Sequence, residues 1–236
     1  LGFIDFAWSI SLQKDDTKVK IIEDGNIDQP IIRVDDVGFC IKIPTPKSSE
    51  DGSVKFLGNV FTDDTAGKIR VGRLFRASIF HLSTHTLVPF SSDRASPKGS
   101  DSKVEAFVKS LITDAYVNAY LQEKSPDSLK DIAYANALAY QKIKSPSRIY
   151  TTSTRVMTTI LKRLWINSSK DEKTSDEDII IDQIADLVIK LSATFSDSIH
   201  NNRIDSEETF DENFKQIAGL LDPLGPFLEA PSFRHT

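Results

Sequence analysis

The stretch Arg73-Leu-Phe-Arg76-Ala-Ser-Ile-Phe-His81-Leu82-Ser-Thr-His85 decides how this chain is read. Before it, apolar residues tend to recur at every second position. From about Ala66 onward they recur at about every 3.6, the period of an α-helix. Leu74, Ala77, His81, His85 and Val88 fall on one helical face, and Phe75, Ile79 and Leu82 on another. A helix that is apolar on more than one side belongs in an interior. Thr62-Asp63-Asp64-Thr65 offers capping side chains and negative charge for its first turn, and Pro89 stops it. The predicted helix therefore runs from about Ala66 to about Leu87.

On the N-terminal side, Lys18-Val-Lys-Ile-Ile-Glu-Asp-Gly25 alternates and ends in Asp-Gly, which reads as a strand and turn. Pro30–Val34 and Val37–Ile43 are two more β-rich runs. Pro44–Gly52 is a loop by composition, and Ser53–Phe61 reads as one further strand. The apolar opening Leu1–Trp8 reads as a segment that docks on the body or on something beyond it. On the C-terminal side, 91–102 reads as a loop. Four helices are predicted next: Lys103–Gln122, one capped by Ser125-Pro126-Asp127 and running to Lys144, one beginning at Ser145-Pro146, and Asp178–His200. A shorter helix over Glu207–Leu221 and a coil from Asp222 complete the chain. The expectation is an α+β fold, mostly α-helical, with a small N-terminal β-sheet leading into a bundle of five or six helices. Its segments are a β-rich part over 1–65, a helical core over 66–166, and a helical segment with tail over 167–236.

Composition excludes several classes. A net charge of -5 gives no global basic footprint for nucleic acid. No run approaches the roughly 18 apolar residues of a membrane span. The lone Cys40 admits no disulfide framework within the chain and fits a reducing, cytoplasmic setting. The chain starts at Leu1 without Met and reads as a piece of a longer protein.

His81 and His85 carry the chemistry. At a spacing of four, both imidazoles project from one helix face, one turn apart. This is the ligand spacing of the H-E-x-x-H zinc helix, in which the Glu acts as general base. Here Leu82 stands at the Glu position, so the ligand pair is kept and the base is missing. No Glu occurs between Glu50 and Glu105, and Asp63 and Asp64 read more simply as helix caps. A third ligand is expected from the next helix. Asp114, in the apolar and aromatic run Leu111-Ile-Thr113-Asp114-Ala-Tyr116-Val117-Asn118, is the best candidate, with Glu105 as the alternative. A carboxylate in such a run needs a partner, which Arg73 or Arg76 would satisfy as well as a metal. The pair thus reads either as zinc ligands or as interior histidines bonded to a carbonyl or an Asp. His200 and His235 lie in a polar loop and the tail. Arg70, Arg73 and Arg76 form a basic cluster that reads as an anion or acidic-partner site, or as ion pairs with Asp63, Asp64 or Asp114.

These residues resemble the zincin-like region of von Willebrand A-domain proteins of the nitric oxide reductase activation protein and cobaltochelatase T-subunit type. There a His-x-x-x-His helix is followed by a helix of the form Glu-Asp-x-Arg-(Ile/Val)-Glu. The similarity covers about residues 55–122. His81, His85, Asp114 and Val117 match it, while Leu82, Thr113, Tyr116 and Asn118 depart from it, and no Asp-x-Ser-x-Ser motif occurs. The resemblance implies a catalytically silent scaffold or partner-binding domain, with zinc as the cofactor if metal is bound. It also implies a protein partner of the MoxR-type AAA+ ATPase class, in metallo-enzyme maturation. Two other readings stay open: an active metal-dependent hydrolase with a non-standard base, and a plain helical interaction domain with incidental histidines.

Overall fold

The computed structural model describes residues 18–35, 38–88, 103–142, 151–166, 175–203 and 207–228. Among the described residues six short strands come first: β1 (Lys18–Asp24), β2 (Ile31–Asp35), β3 (Gly38–Pro44), β4 (Lys47–Ser48), β5 (Ser53–Phe56) and β6 (Asn59–Thr62). Six α-helices follow among the described residues: α1 (Thr65–His85), α2 (Lys103–Lys124), α3 (Leu129–Lys142), α4 (Thr152–Ile166), α5 (Asp176–His200) and α6 (Glu207–Leu221). The class is α+β and mostly helical. The elements group into two compact units. The first holds the strands, α1 and nearly all of α3; the second holds α2, α4, α5 and α6.

In the first unit the β-rich segment forms two small sheets. One has the order β1-β3-β2, with the central β3 parallel to β1 and antiparallel to β2; the other is the antiparallel β4-β5-β6. Central β3 buries Ile41 and Ile43 completely. They join Val19, Phe56, Phe61, Leu74 and Ile79 in one core, against which Val71, Phe75, Leu82, Tyr134 and Leu138 pack in part. Each fully buried aliphatic side chain contributes about 1.5–3 kcal/mol relative to exposure. Asp24 ends β1: its carboxylate accepts from the Asn26 N–H at 2.9 Å and from Lys42 Nζ at 2.9 Å.

Ser53–Phe61, expected as one strand, is a hairpin. Phe56 pairs with Asn59, and the two residues between them, Leu57 (φ 47°) and Gly58 (φ 69°), are both left-handed. Two successive positive φ values make the tight turn that matches strand twist. The Asn59 side-chain amide holds it by donating to the Leu57 carbonyl at 2.9 Å.

Helix α1 starts where expected and ends at His85, about a half-turn short of Leu87. The Asp64 carboxylate caps it, accepting from the Gly67 N–H at 2.7 Å. Pro126 opens a 3-10 turn over Pro126–Ser128 that leads into α3.

The second unit is organised on α5, which buries Ile181, Ile184, Ala185, Val188, Leu191, Phe195 and Ile199 along one stripe. Ser175 caps it, and Asp176, Glu177 and Asp178 place negative charge on its first turn. It packs on α2, α4 and α6. The Tyr116 ring of α2 meets the Phe195 ring edge-on at 5.2 Å. Arg155 pairs with Glu177 and Asp178, and the nearly buried Arg163 pairs with Asp182 and Asp186, which ties α4 to α5 by charge. The segment Asp222–Phe227, expected as coil, is a 3-10 helix. Proline's fixed φ fits that conformation, and Pro223 sits in its first turn, where no donor is lost. The Leu1–Trp8 segment, the loop over 91–102, the helix start expected at Ser145-Pro146 and His235 lie outside the described residues.

Candidate metal centre

Both histidines sit in the last two turns of α1 and both are half-buried. Their Nε2 atoms lie 3.1 Å apart, and their rings meet at 75° with centroids 4.8 Å apart. The helix alone sets this geometry, because residues four apart stack on one face. Two imidazoles bound to one tetrahedral zinc at ~2.0–2.1 Å would have their nitrogens about 3.4 Å apart. The pair stands within a few tenths of an ångström of that chelate. In the absence of metal the same contact is an N–H···N hydrogen bond, in which one ring donates and the other accepts.

The turns around the pair offer no further donor from α1. One turn before His81 are Ala77 and Ser78, and the Ser78 hydroxyl donates to the Leu74 carbonyl at 2.9 Å. Thr84 is buried, with its hydroxyl on the Phe80 carbonyl at 2.8 Å. Leu82, at the position of the zincin Glu, packs against the core of the first unit. Ser83 is fully buried, points away from the histidine face, and its Oγ has no hydrogen-bond partner.

Neither Asp63 nor Asp64 is placed to replace the missing base. Asp64 caps α1 and Asp63 pairs with Lys68 at 3.2 Å. His81 lies nearly five helical turns beyond them, ~25 Å along the axis.

Asp114 is a half-buried residue of α2, in the second unit, flanked by buried Ile112 and Ala115. The donors whose mutual geometry one element fixes are therefore the two imidazoles of α1, a pair that could hold a metal ion. Two imidazoles and a carboxylate make a borderline N/O donor set. That set suits zinc and neighbouring first-row ions better than magnesium or calcium, which prefer all-oxygen sites.

The basic cluster finds a different partner from those expected. Arg73 and Arg76 meet Asp131 of α3, not Asp63, Asp64 or Asp114. Arg73 Nε donates to Asp131 Oδ1 at 2.9 Å and Arg76 Nε to Oδ2 at 2.7 Å. A second Arg76 nitrogen reaches Oδ1 at 3.2 Å, and a second Arg73 nitrogen reaches the Lys130 carbonyl at 2.6 Å. The Arg73 guanidinium also lies 4.3 Å above the Tyr134 ring centroid. Burial pushes the Asp131 carboxyl up, but the hydrogen bonds and charges of Arg76 and Arg73 outweigh it, so its pKa lies below the ordinary Asp value. Arg70 is exposed near the capped start of the helix. Asp64 there is held below the ordinary value, first by the Gly67 N–H and least by Arg70. The one cue to Asp131 was a carboxylate beside the apolar run Ile132-Ala-Tyr134, the same cue that singled out Asp114.

His200 ends α5, exposed, with Nδ1 3.3 Å from Glu123 Oε2. The other oxygen of Glu123 accepts from the Ser196 hydroxyl at 3.0 Å. No described helix is long and apolar enough to cross a membrane. Comparison with protein-family models, with curated proteins and with solved structures gives no match.

Proposed function

We propose that this chain is a metal-binding, catalytically silent zincin-like module that works as a scaffold or partner-binding domain. The observation that carries this reading is the His81–His85 pair, with two Nε2 atoms of one helix 3.1 Å apart and in chelating register. His81 and His85 hold the ion, and Asp114 is the third ligand that the sequence and the resemblance imply. Hydrolysis by metal-bound water needs a general base within hydrogen-bond reach. Leu82 occupies the place from which such a base would act, and its side chain serves the core instead. Base catalysis typically contributes about 10²–10⁴-fold, so its loss leaves binding as the use of the site. In line with the resemblance, the partner is a protein of the MoxR-type AAA+ ATPase class.

The second reading is a plain helical interaction domain whose histidines are incidental. The 3.1 Å contact supports it too, since a neutral pair makes the same contact through one N–H.

Elemental analysis of the purified chain separates the two. About one zinc per chain, lost in His81→Ala/His85→Ala and weakened in Asp114→Ala, supports the metal-binding module. A metal-free chain, unchanged after incubation with zinc, removes it and leaves the interaction domain.

A further inference from the structure

The two arginines that meet Asp131 keep donors in reserve. Arg73 engages Asp131 through Nε and the Lys130 carbonyl through one terminal nitrogen; Arg76 engages Asp131 through Nε and one terminal nitrogen. The Nη1 group of each makes no further hydrogen bond among the described residues. Both side chains reach solvent, at 33% and 40% exposure. Charge is left over as well. One carboxylate faces two guanidiniums, while the neighbouring lysines are matched singly, Lys68 by Asp63 at 3.2 Å and Lys130 by Asp127 at 3.0 Å. Asp131, the Lys130 carbonyl and the Tyr134 ring hold the pair in place without a ligand. Side chains ordered in advance lower the cost of binding.

Beside this spare charge stands an apolar side chain. Ile69 is 59% exposed. Arg73 and Arg76, four and seven residues on, lie within about 60° of it around the helix. Gly72 between them has no side chain, and a Cβ there would first meet Arg76 Nη1, at 3.7 Å, so this guanidinium reaches back along α1 toward Ile69.

These features select the ligand. Phosphate is held best by arginine forks, and Asp131 already occupies the Nε edge of both. Two single Nη1 groups and one spare charge suit a carboxylate, and Ile69 favours hydrocarbon beside it. Small free ligands bind in concavities that cover most of their surface. An exposed helix face covers little of one, whereas a protein segment brings its own burying surface. We infer that α1 and α3 present a docking site for an acidic segment of a partner protein, whose Asp or Glu carboxylate accepts from Arg73 Nη1 and Arg76 Nη1 while a neighbouring apolar side chain lies on Ile69. This goes beyond the metal-binding reading and does not depend on it.

NMR of the full chain tests this, with the arginine Nε–H and isoleucine methyl resonances as reporters. The chain is first freed of metal by dialysis, so that failure here leaves the metal reading of His81 and His85 standing. The probe is a blocked Ala/Gln-based helical peptide of about fifteen residues with one Leu and one Glu a turn apart. It is expected to shift Arg73, Arg76 and Ile69 saturably and to leave Arg155 and Arg163 of the second unit unmoved. The same peptide with Gln in place of Glu is expected to bind at least about tenfold more weakly. Ile69→Ala, a change at an exposed position, is expected to weaken the Glu peptide at least about threefold. The absence of a saturable shift up to about 10 mM, equal binding of the Glu and Gln peptides, or wild-type binding by Ile69→Ala overturns the inference. Hexanoate or inorganic phosphate that saturates the same resonances at lower concentration than the peptide also overturns it, and makes the site one for a small anion.

Discussion

Asp131 is nearly buried and carries two arginines, so one carboxylate fastens α3 to α1. Removing its charge strands Arg73 and Arg76, both partly exposed, against each other. Asp131→Asn should therefore destabilise the first unit by about 2 kcal/mol, less than a fully buried pair would lose. The pH dependence has a definite sign. The carboxyl's folded pKa is depressed. The stability it confers is complete above the unfolded Asp value of about 3.9 and disappears as pH falls through the folded value. Urea midpoints of wild type and Asp131→Asn should differ clearly at neutral pH and draw together as the pH is lowered below the unfolded Asp value and through the depressed folded one. A difference that stays unchanged down to the acid limit of the folded state would mean that packing, and not charge, carries the effect. Neither arginine's partner was legible from spacing, because the contact joins residues 55 and 58 apart in the chain. The chain offers acidic residues much closer, and proximity in sequence favoured the wrong ones.

At the scale of the element, α1 depends on one glycine at its start. A Cβ on Gly67 would sit 1.7 Å from the Thr62 carbonyl oxygen, a backbone atom that cannot rotate away. This close approach lets β6 turn directly into α1 and places Leu74 and Ile79 over the sheet. In an open helix, Gly→Ala gains about 1 kcal/mol. Here the clash reverses the sign, and Gly67→Ala should cost about 1–3 kcal/mol as an overpacked site does. Thermal unfolding of Gly67→Ala and Gly72→Ala tests the contrast, since a Cβ at Gly72 meets only the far end of the Arg76 side chain, at 3.7 Å. Equal effects from the two would show that the β6–α1 junction yields. The helix itself was legible, because periodicity, the Asp64 cap and the apolar faces agree. The hairpin inside Ser53–Phe61 was not. Apolar and β-prone residues continue across it, and its first left-handed position is Leu57, a residue type that carries no turn signal. The Asp222–Phe227 helix was hidden by the opposite bias, because proline and glycine read as coil by composition.

At the scale of the molecule, the two units each hold their own core, and the candidate ligands are divided between them: His81 and His85 in the first, Asp114 in the second. The histidine pair was legible because four-residue spacing on a helix fixes its own geometry. Asp114 was legible only as an anomaly, a charge amid apolar neighbours, and such an anomaly does not name its partner. Asp131 shows how the same cue ends in an ion pair. Linkage can decide between these fates for Asp114. An ion that binds only the folded chain stabilises it by about 2.7 kcal/mol at a free concentration a hundredfold above its dissociation constant. Calorimetry with and without zinc should show an upward shift for wild type and none for His81→Ala/His85→Ala. With Asp114→Ala at the same zinc concentration, a shift much smaller than wild type makes the carboxylate a ligand. A shift equal to wild type makes the site a two-histidine chelate confined to α1, with Asp114 serving its own unit.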